Sequence, residues 1–188
     1  MHEKGRIRYL HLVRHGQYRS QPEVFGGVLT DIGRTQATFL ARYLVSLSID
    51  RIHVSDLNRA IETAHIIAQN LHGVPVVQDS LLREVVPTPV GVRRVARKVL
   101  NSSRERLGKI EERYLRRTNR RRHELFVCHG NLIRSLVTRM LGAPARAWLK
   151  LDVHHCGVTT LKVRYDRSVR LVRFNDVGHL PDDLILQS

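Results

Sequence analysis

The feature that most constrains this chain is an alternation of short strand-like runs with helical patterns. Tyr9–Val13, Ile52–Val54, Val74–Val77 and Leu125–Cys128 are brief runs of mainly apolar or β-type residues. Thr30 is placed to cap a helix carrying Ile32, Ala37, Leu40, Ala41, Leu44 and Leu47. Ser55 or Asp56 can cap a second, with Ala60, Ala64, Ile67 and Leu71 on one face. Val90–Arg117 is helical in pattern, with an interruption expected around Asn101–Ser103, and Asn131–Leu141 forms a further helix stopped by Gly142 and Pro144. Gln17–Val28 reads as a loop, and two β-branched runs, Gly157–Val163 and Val169–Phe174, flank a turn at Asp166–Ser168. Pro75 marks its strand as an edge or a strand start. This order specifies an α/β fold: a mainly parallel central sheet with helices on both faces.

In such folds ligands bind beyond the carboxyl ends of the strands. Arg14-His15-Gly16, Ser55-Asp56 with Arg59, Glu84, and His129-Gly130 all fall there. Four segments distant in sequence therefore converge on one rim, bringing two His, two Arg and one Glu together. Guanidinium forks match phosphate oxygens bidentately, and helix N-termini favour anions. An imidazole beside a bound phosphoryl group can attack phosphorus. A carboxylic acid can protonate the leaving oxygen and then deprotonate water. The second imidazole, as a cation, is expected to stabilise charge on the equatorial oxygens. No metal is needed for this chemistry, because the protein supplies the positive charge.

Composition enters through charge. The 188 residues hold 32 Lys and Arg against 17 Asp and Glu, a formal net charge of +15. That excess points to an anionic partner, whether nucleic acid, an acidic membrane surface or a phosphorylated substrate. Thirteen basic residues lie between Gly91 and Arg122, opposed only by Glu105, Glu111 and Glu112. The segment is expected either to be a solvated helix face or to meet an acidic partner. With Tyr114 its one aromatic residue, specific single-strand binding is disfavoured. Cys128 and Cys156 cannot make a disulfide framework, which favours a reducing compartment. Met1–Arg8 has no apolar core of a secretory signal, and no apolar run reaches transmembrane length, so the expectation is a cytoplasmic location with no transmembrane segment.

Leu12-Val-Arg-His-Gly-Gln17 resembles the Arg-His-Gly signature of the histidine phosphatase superfamily, in its phosphoglycerate-mutase-like branch. Leu29–Ala37, Ser55–Ala64, Leu82-Arg-Glu84 and Cys128-His-Gly-Asn131 resemble its other signature segments in the same order. The resemblance spans Tyr9 to Phe174. It implies a nucleophile at His15, a phosphate pocket of Arg14, Arg59 and His129, and Glu84 as proton donor, with Asp56 and Glu62 as fallbacks. Gln17 and Asn131 would touch the phosphoryl group. Gln17-Tyr18 and Asn131-Leu-Ile-Arg134 are similar to a serine/threonine phosphatase group within the superfamily, from which Gly16 departs.

The expected protein is thus one domain over residues 1–188 with a helical cap insertion at about 88–122. Its expected activity is metal-independent hydrolysis of phosphate monoesters through a phosphohistidine, on a phosphoprotein. A phosphosugar phosphatase, a phosphoglycerate mutase and a phosphohistidine phosphatase are the enzymatic alternatives. A non-enzymatic basic binding module is the other rival. Oligomeric state is open, a homo-oligomer included. His154-His155-Cys156 invites a metal reading, but adjacent extended side chains face opposite ways. His155 is expected near the rim, and Cys128 and Trp148 in packing roles.

Overall fold

A computed structural model of the chain describes residues 6–86 and 95–185. Its elements run β1 (Arg8–Arg14), β2 (Tyr18–Arg19), β3 (Val28–Leu29), α1 (Asp31–Leu44), β4 (Arg51–Val54), α2 (Asn58–Asn70), β5 (Val76–Gln78), α3 (Arg97–Tyr114), β6 (Arg122–Cys128), α4 (Gly130–Met140), β7 (Val158–Val163) and β8 (Val169–Asp176). The main sheet has the order β5-β4-β6-β1-β7-β8. β5, β4, β6 and β1 pair in parallel, whereas β7 and β8 are added antiparallel. The mainly parallel α/β sheet read from the alternation is therefore present, with β5 after Pro75 at one edge.

Alternation of side chains along each strand divides the core in two. Val13, Ile52, Val54, Leu125, Val127 and Val158 face α1 and α2, and meet Ala37, Leu40, Leu44, Ala60 and Ile67. Leu10, Leu12, Phe126, Cys128 and Leu161 face α3 and α4, and meet Leu107, Ile110, Tyr114, Leu132 and Ile133. Each fully buried Leu, Ile or Phe contributes roughly 1.5–3 kcal/mol through removal of apolar surface from water. Cys128 and Trp148 are buried, as their packing roles require.

The structure departs from the sequence reading at several points, beyond shifts in element ends such as the start of α3 at Arg97 and of β5 at Val76. Gln17–Val28 is not all loop: β2 and β3 form a small antiparallel pair within it. Ile32 is exposed, because it lies one position off the buried stripe formed by Gly33, Gln36, Ala37, Leu40 and Leu44. α3 continues unbroken through Asn101–Ser103, where Ser103 turns inward and accepts from the Val86 amide at 3.1 Å. The described part of the expected cap is in large part a core helix: Leu107, Ile110 and Tyr114 pack on the sheet, while Arg106 donates to the Glu84 carbonyl at 3.1 Å. The remainder of that segment, with Arg93 and Arg94, lies outside the described residues.

Among the described residues, part of this segment's charge is paired on the spot. Arg113 pairs with Asp79, Lys109 with Glu105 and Arg120 with Asp50, while Arg121 stacks over Tyr9.

Candidate active site

β1 ends at Arg14 and passes directly to His15, whose amide donates to the Cys128 carbonyl at 3.1 Å. The imidazole is 2% exposed and fixed at both nitrogens. Nδ1 lies 2.8 Å from the Gly16 carbonyl oxygen and Nε2 lies 2.9 Å from Arg59 Nε. A carbonyl only accepts and a guanidinium only donates, so Nδ1 carries the proton and Nε2 presents its lone pair. Burial, His129 and Arg59 together push the His15 pKa well below its usual value. The result is a neutral imidazole with one basic nitrogen facing the cationic side of the site.

Close backbone approach sets this geometry. A Cβ on Gly16 would come 2.5 Å from the Gly33 carbonyl oxygen, and one on Gly33 would overlap the Gln17 carbonyl. Only a pair of glycines lets the start of α1 abut the loop after β1. Thr30 caps that helix as expected, its hydroxyl accepting from Gly33 at 3.1 Å. The same hydroxyl donates to Gln17 Oε1 at 2.6 Å, so the Gln17 side chain is engaged by the helix cap.

Arg59, on the first turn of α2, is 8% exposed and links the two histidines. Its Nη2 lies 3.1 Å from His129 Nδ1, and its Nη1 donates to the Gly26 carbonyl at 2.6 Å. The Tyr18 ring lies 4.5 Å from its guanidinium carbon and meets His15 edge-on. Thr63, one turn further along α2, accepts from the Gly16 amide at 3.1 Å and donates to the Arg59 carbonyl at 2.7 Å.

His129 follows β6 and is fully buried. Since Nδ1 accepts from Arg59, Nε2 carries the proton and donates to Ser55 Oγ at 2.8 Å. Burial first, then Arg59 and Arg14, lower its pKa to about 3. In the free site His129 is therefore neutral and the fixed positive charge resides on Arg14 and Arg59; the cationic His129 expected from the sequence belongs to the phosphate-bound state. The reading of Ser55 as a helix cap is corrected. Leu57 stands at the N-cap position of α2, which has no side-chain cap, and the Ser55 hydroxyl is turned to the imidazole.

Arg14 donates to the Val153 carbonyl at 2.6 Å, and its stem lies beside Gly130 at the start of α4. The Glu84 carboxyl reaches the same helix start, accepting from the Leu132 and Val85 amides, each at 3.1 Å. Burial raises its pKa, against the pull of those amides and of Arg59. Asp56, by contrast, is paired bidentately with Arg83 at 2.7 and 2.5 Å, and its pKa is lowered by that bond. Glu62 is held by Asn58 and Arg34. Glu84 thus combines a raised pKa with an electrostatic link to Arg14 and Arg59, whereas Asp56 and Glu62 are each taken up by an arginine ion pair. Asn131 receives a long contact from Arg134 at 3.4 Å.

His155 reaches the site as expected, its Nδ1 donating to the His15 carbonyl at 2.9 Å. His154 contacts Asn175 instead. Ser55, Thr63 and Tyr18 were not singled out as site residues by the sequence. Each looks ordinary there, a hydroxyl at a helix start, a threonine inside a helix and an aromatic in a loop.

Comparison with known proteins agrees with this geometry. The family model described as histidine phosphatase superfamily (branch 1) matches residues 10–87 and 91–177. The mouse protein named serine/threonine-protein phosphatase PGAM5, mitochondrial, is 33% identical over 96% of this chain and 67% of its own length. The chain thus spans about two thirds of that relative. A phosphoglycerate mutase from Plasmodium falciparum superposes with a TM-score of 0.66 at 29% identity, covering 94% of this chain and 95% of that one. Bacillus stearothermophilus YhfR shares the fold, with a TM-score of 0.74 at 20% identity over 92% of this chain and 98% of its own. The mitochondrial relative does not fit the expectation of a cytoplasmic location. Among the described residues no helix is long and apolar enough to cross a membrane. By the family match and by the arrangement of His15, Arg59 and His129, the chain belongs to the histidine phosphatase superfamily, branch 1.

Proposed function

We propose that this protein hydrolyses phosphate monoesters through a phosphohistidine at His15 Nε2, and that its substrate is a phosphorylated serine or threonine of a protein. One observation carries the mechanism: Nε2 is the unprotonated nitrogen of a buried neutral imidazole and lies 2.9 Å from Arg59. A phosphoryl group arriving there offers Arg59 stronger acceptors than two imidazole nitrogens. The guanidinium then binds phosphoryl oxygens and releases the Nε2 lone pair for attack. Arg14 and Arg59 hold the dianion, whose charge also favours protonation of His129.

In the first step the Nε2–phosphorus bond forms, the bond from phosphorus to the ester oxygen breaks, and Glu84 gives that oxygen its proton. In the second, the Glu84 carboxylate takes a proton from water, the water oxygen attacks phosphorus, and the Nε2–phosphorus bond breaks to free phosphate. Glu84 suits both roles, since burial favours its acid form while the amides at the start of α4 stabilise its anion.

The protein substrate is supported by the similarity to the mouse protein phosphatase and by the segments around Gln17-Tyr18 and Asn131–Arg134. The test is a panel of phosphoserine and phosphothreonine peptides, phosphosugars, phosphohistidine peptide, and 3-phosphoglycerate with its bisphosphate primer. Phosphopeptides should give the highest kcat/KM, and His15→Ala should abolish hydrolysis while circular dichroism is unchanged. Preference for a small ester would replace the proposed substrate and leave the chemistry standing. Full activity of His15→Ala would overturn the chemistry.

A further inference from the structure

The opposite end of the sheet carries a second cationic site. Arg8 opens β1 and Arg122 opens β6, side by side in register. Arg6 precedes them, Arg117 follows the C-terminal end of α3, and Tyr165 lies in the turn after β7. These residues, with Asn119, line a cavity of about 590 Å³. Arg8 and Arg14 are six residues apart, so the cavity lies about 20 Å from the catalytic rim along β1.

The charges in it are unequally compensated. Arg8 is fixed by buried Glu124 and by the Tyr114 carbonyl at 2.9 Å, so it forms a rigid floor. Arg122 reaches the same carboxylate only at 3.9 Å. Arg6 and Arg117 have no carboxylate partner among the described residues and are exposed. Among the described residues, one carboxylate thus serves four guanidiniums around one concavity. Their mutual repulsion is relieved by an anion that several forks engage at once. The volume exceeds what one phosphoryl group fills, and with Tyr165 as the one aromatic in its lining the cavity lacks the succession of stacking rings that a single nucleic acid strand uses.

We infer that this cavity is a binding site, distinct from the catalytic one, for a compact linear polyphosphate, either the free chain or the triphosphate of a nucleotide. The test is equilibrium binding to full-length His15→Ala protein in 150 mM salt, with tripolyphosphate, ATP, orthophosphate and a single-stranded RNA oligomer as probes. Tripolyphosphate or ATP should bind at least about tenfold more tightly than orthophosphate. Adding Arg6→Gln and Arg117→Gln should weaken that binding about tenfold or more, whereas adding Arg59→Ala should leave it within about threefold. Whichever of the two probes binds better names the source. Loss on Arg59→Ala with retention in the Arg6, Arg117 variant would overturn the site in favour of the catalytic pocket. Orthophosphate binding equally well, RNA binding most tightly through the same arginines, or no binding at millimolar probe would each overturn it as well.

Discussion

Arg59 Nε donates to His15 Nε2 at 2.9 Å while the same guanidinium reaches His129 Nδ1 at 3.1 Å. One planar cation therefore sets the tautomers of both imidazoles, because each must present an acceptor to it. The consequence is a division of labour: charge on the arginines, basicity on His15.

Replacing that fork should be severe. Arg59→Ala is expected to lower kcat/KM by about 10²–10³, the range for removing one preorganised donor. Arg59→Lys should recover little, since a single ammonium cannot span both imidazoles or bind phosphoryl oxygens bidentately. Steady-state kinetics on an aryl phosphate checks this; near-wild-type rates for the lysine variant would mean that only charge matters there.

Glu84 should reveal itself through the leaving group. Glu84→Gln is expected to slow phosphoserine hydrolysis by about 10²-fold or more. 4-Nitrophenyl phosphate, whose leaving oxygen needs little protonation, should be slowed far less. Because burial raises the Glu84 pKa, its acid form persists above the ordinary carboxyl range. Wild-type kcat/KM should fall as pH rises through that raised value, and the glutamine variant should lack this limb. Equal loss on both substrates would argue for a structural role.

The glycine pair under the site makes an unusual stability forecast. Alanine is ordinarily better than glycine inside a helix by about 1 kcal/mol. Gly33→Ala should instead destabilise by about 1–3 kcal/mol, the typical cost of overpacking, since its Cβ would overlap the Gln17 carbonyl. Urea unfolding measures the difference. A stabilised variant would show that the loop after β1 yields freely.

Buried neutral histidines should make the fold acid-sensitive. His11, His53 and His155 are lowered to about 4 and His129 to about 3, in each case chiefly by burial. A depressed pKa means that the unfolded chain binds more protons, so stability is full above about pH 6.5 and is lost as pH falls toward those values. Each such group contributes on the order of 1 kcal/mol per pH unit in that window. Tm should therefore drop markedly between pH 7 and pH 5. A flat profile would mean that these imidazoles are not held neutral.

The sheet was legible from the alternation of short strand-like runs with helical patterns, clearest in Leu125–Cys128, where consecutive apolar residues leave no polar face to expose. The site was legible where chemistry-bearing residues sit at strand ends, as His15 and His129 do. What escaped depends on orientation. A serine at a helix start is written identically whether it caps the helix or, as Ser55 does, bonds an imidazole 74 positions away. Thr63 resembles any buried helical threonine until Gly16 is found beside it. The inward face of α3 was legible at Leu107 and Ile110, which keep helical spacing and are buried, whereas Val99, expected inward with them, is exposed and Tyr114 takes up the inward position instead. A protonation state cannot be read from sequence either: that His129 is neutral in the free site follows only from its burial and from the Arg59 contact at Nδ1.

The central claim concerns a covalent bond at one nitrogen, and trapping it is the most direct test. Rapid acid-free quench of the enzyme with a radiolabelled phosphomonoester should capture one phosphoryl group per chain, stable to alkali and labile to acid, on the peptide containing His15. His15→Ala should capture none. An alkali-labile, acid-stable label, or label retained by His15→Ala, would contradict the account by placing the nucleophile elsewhere.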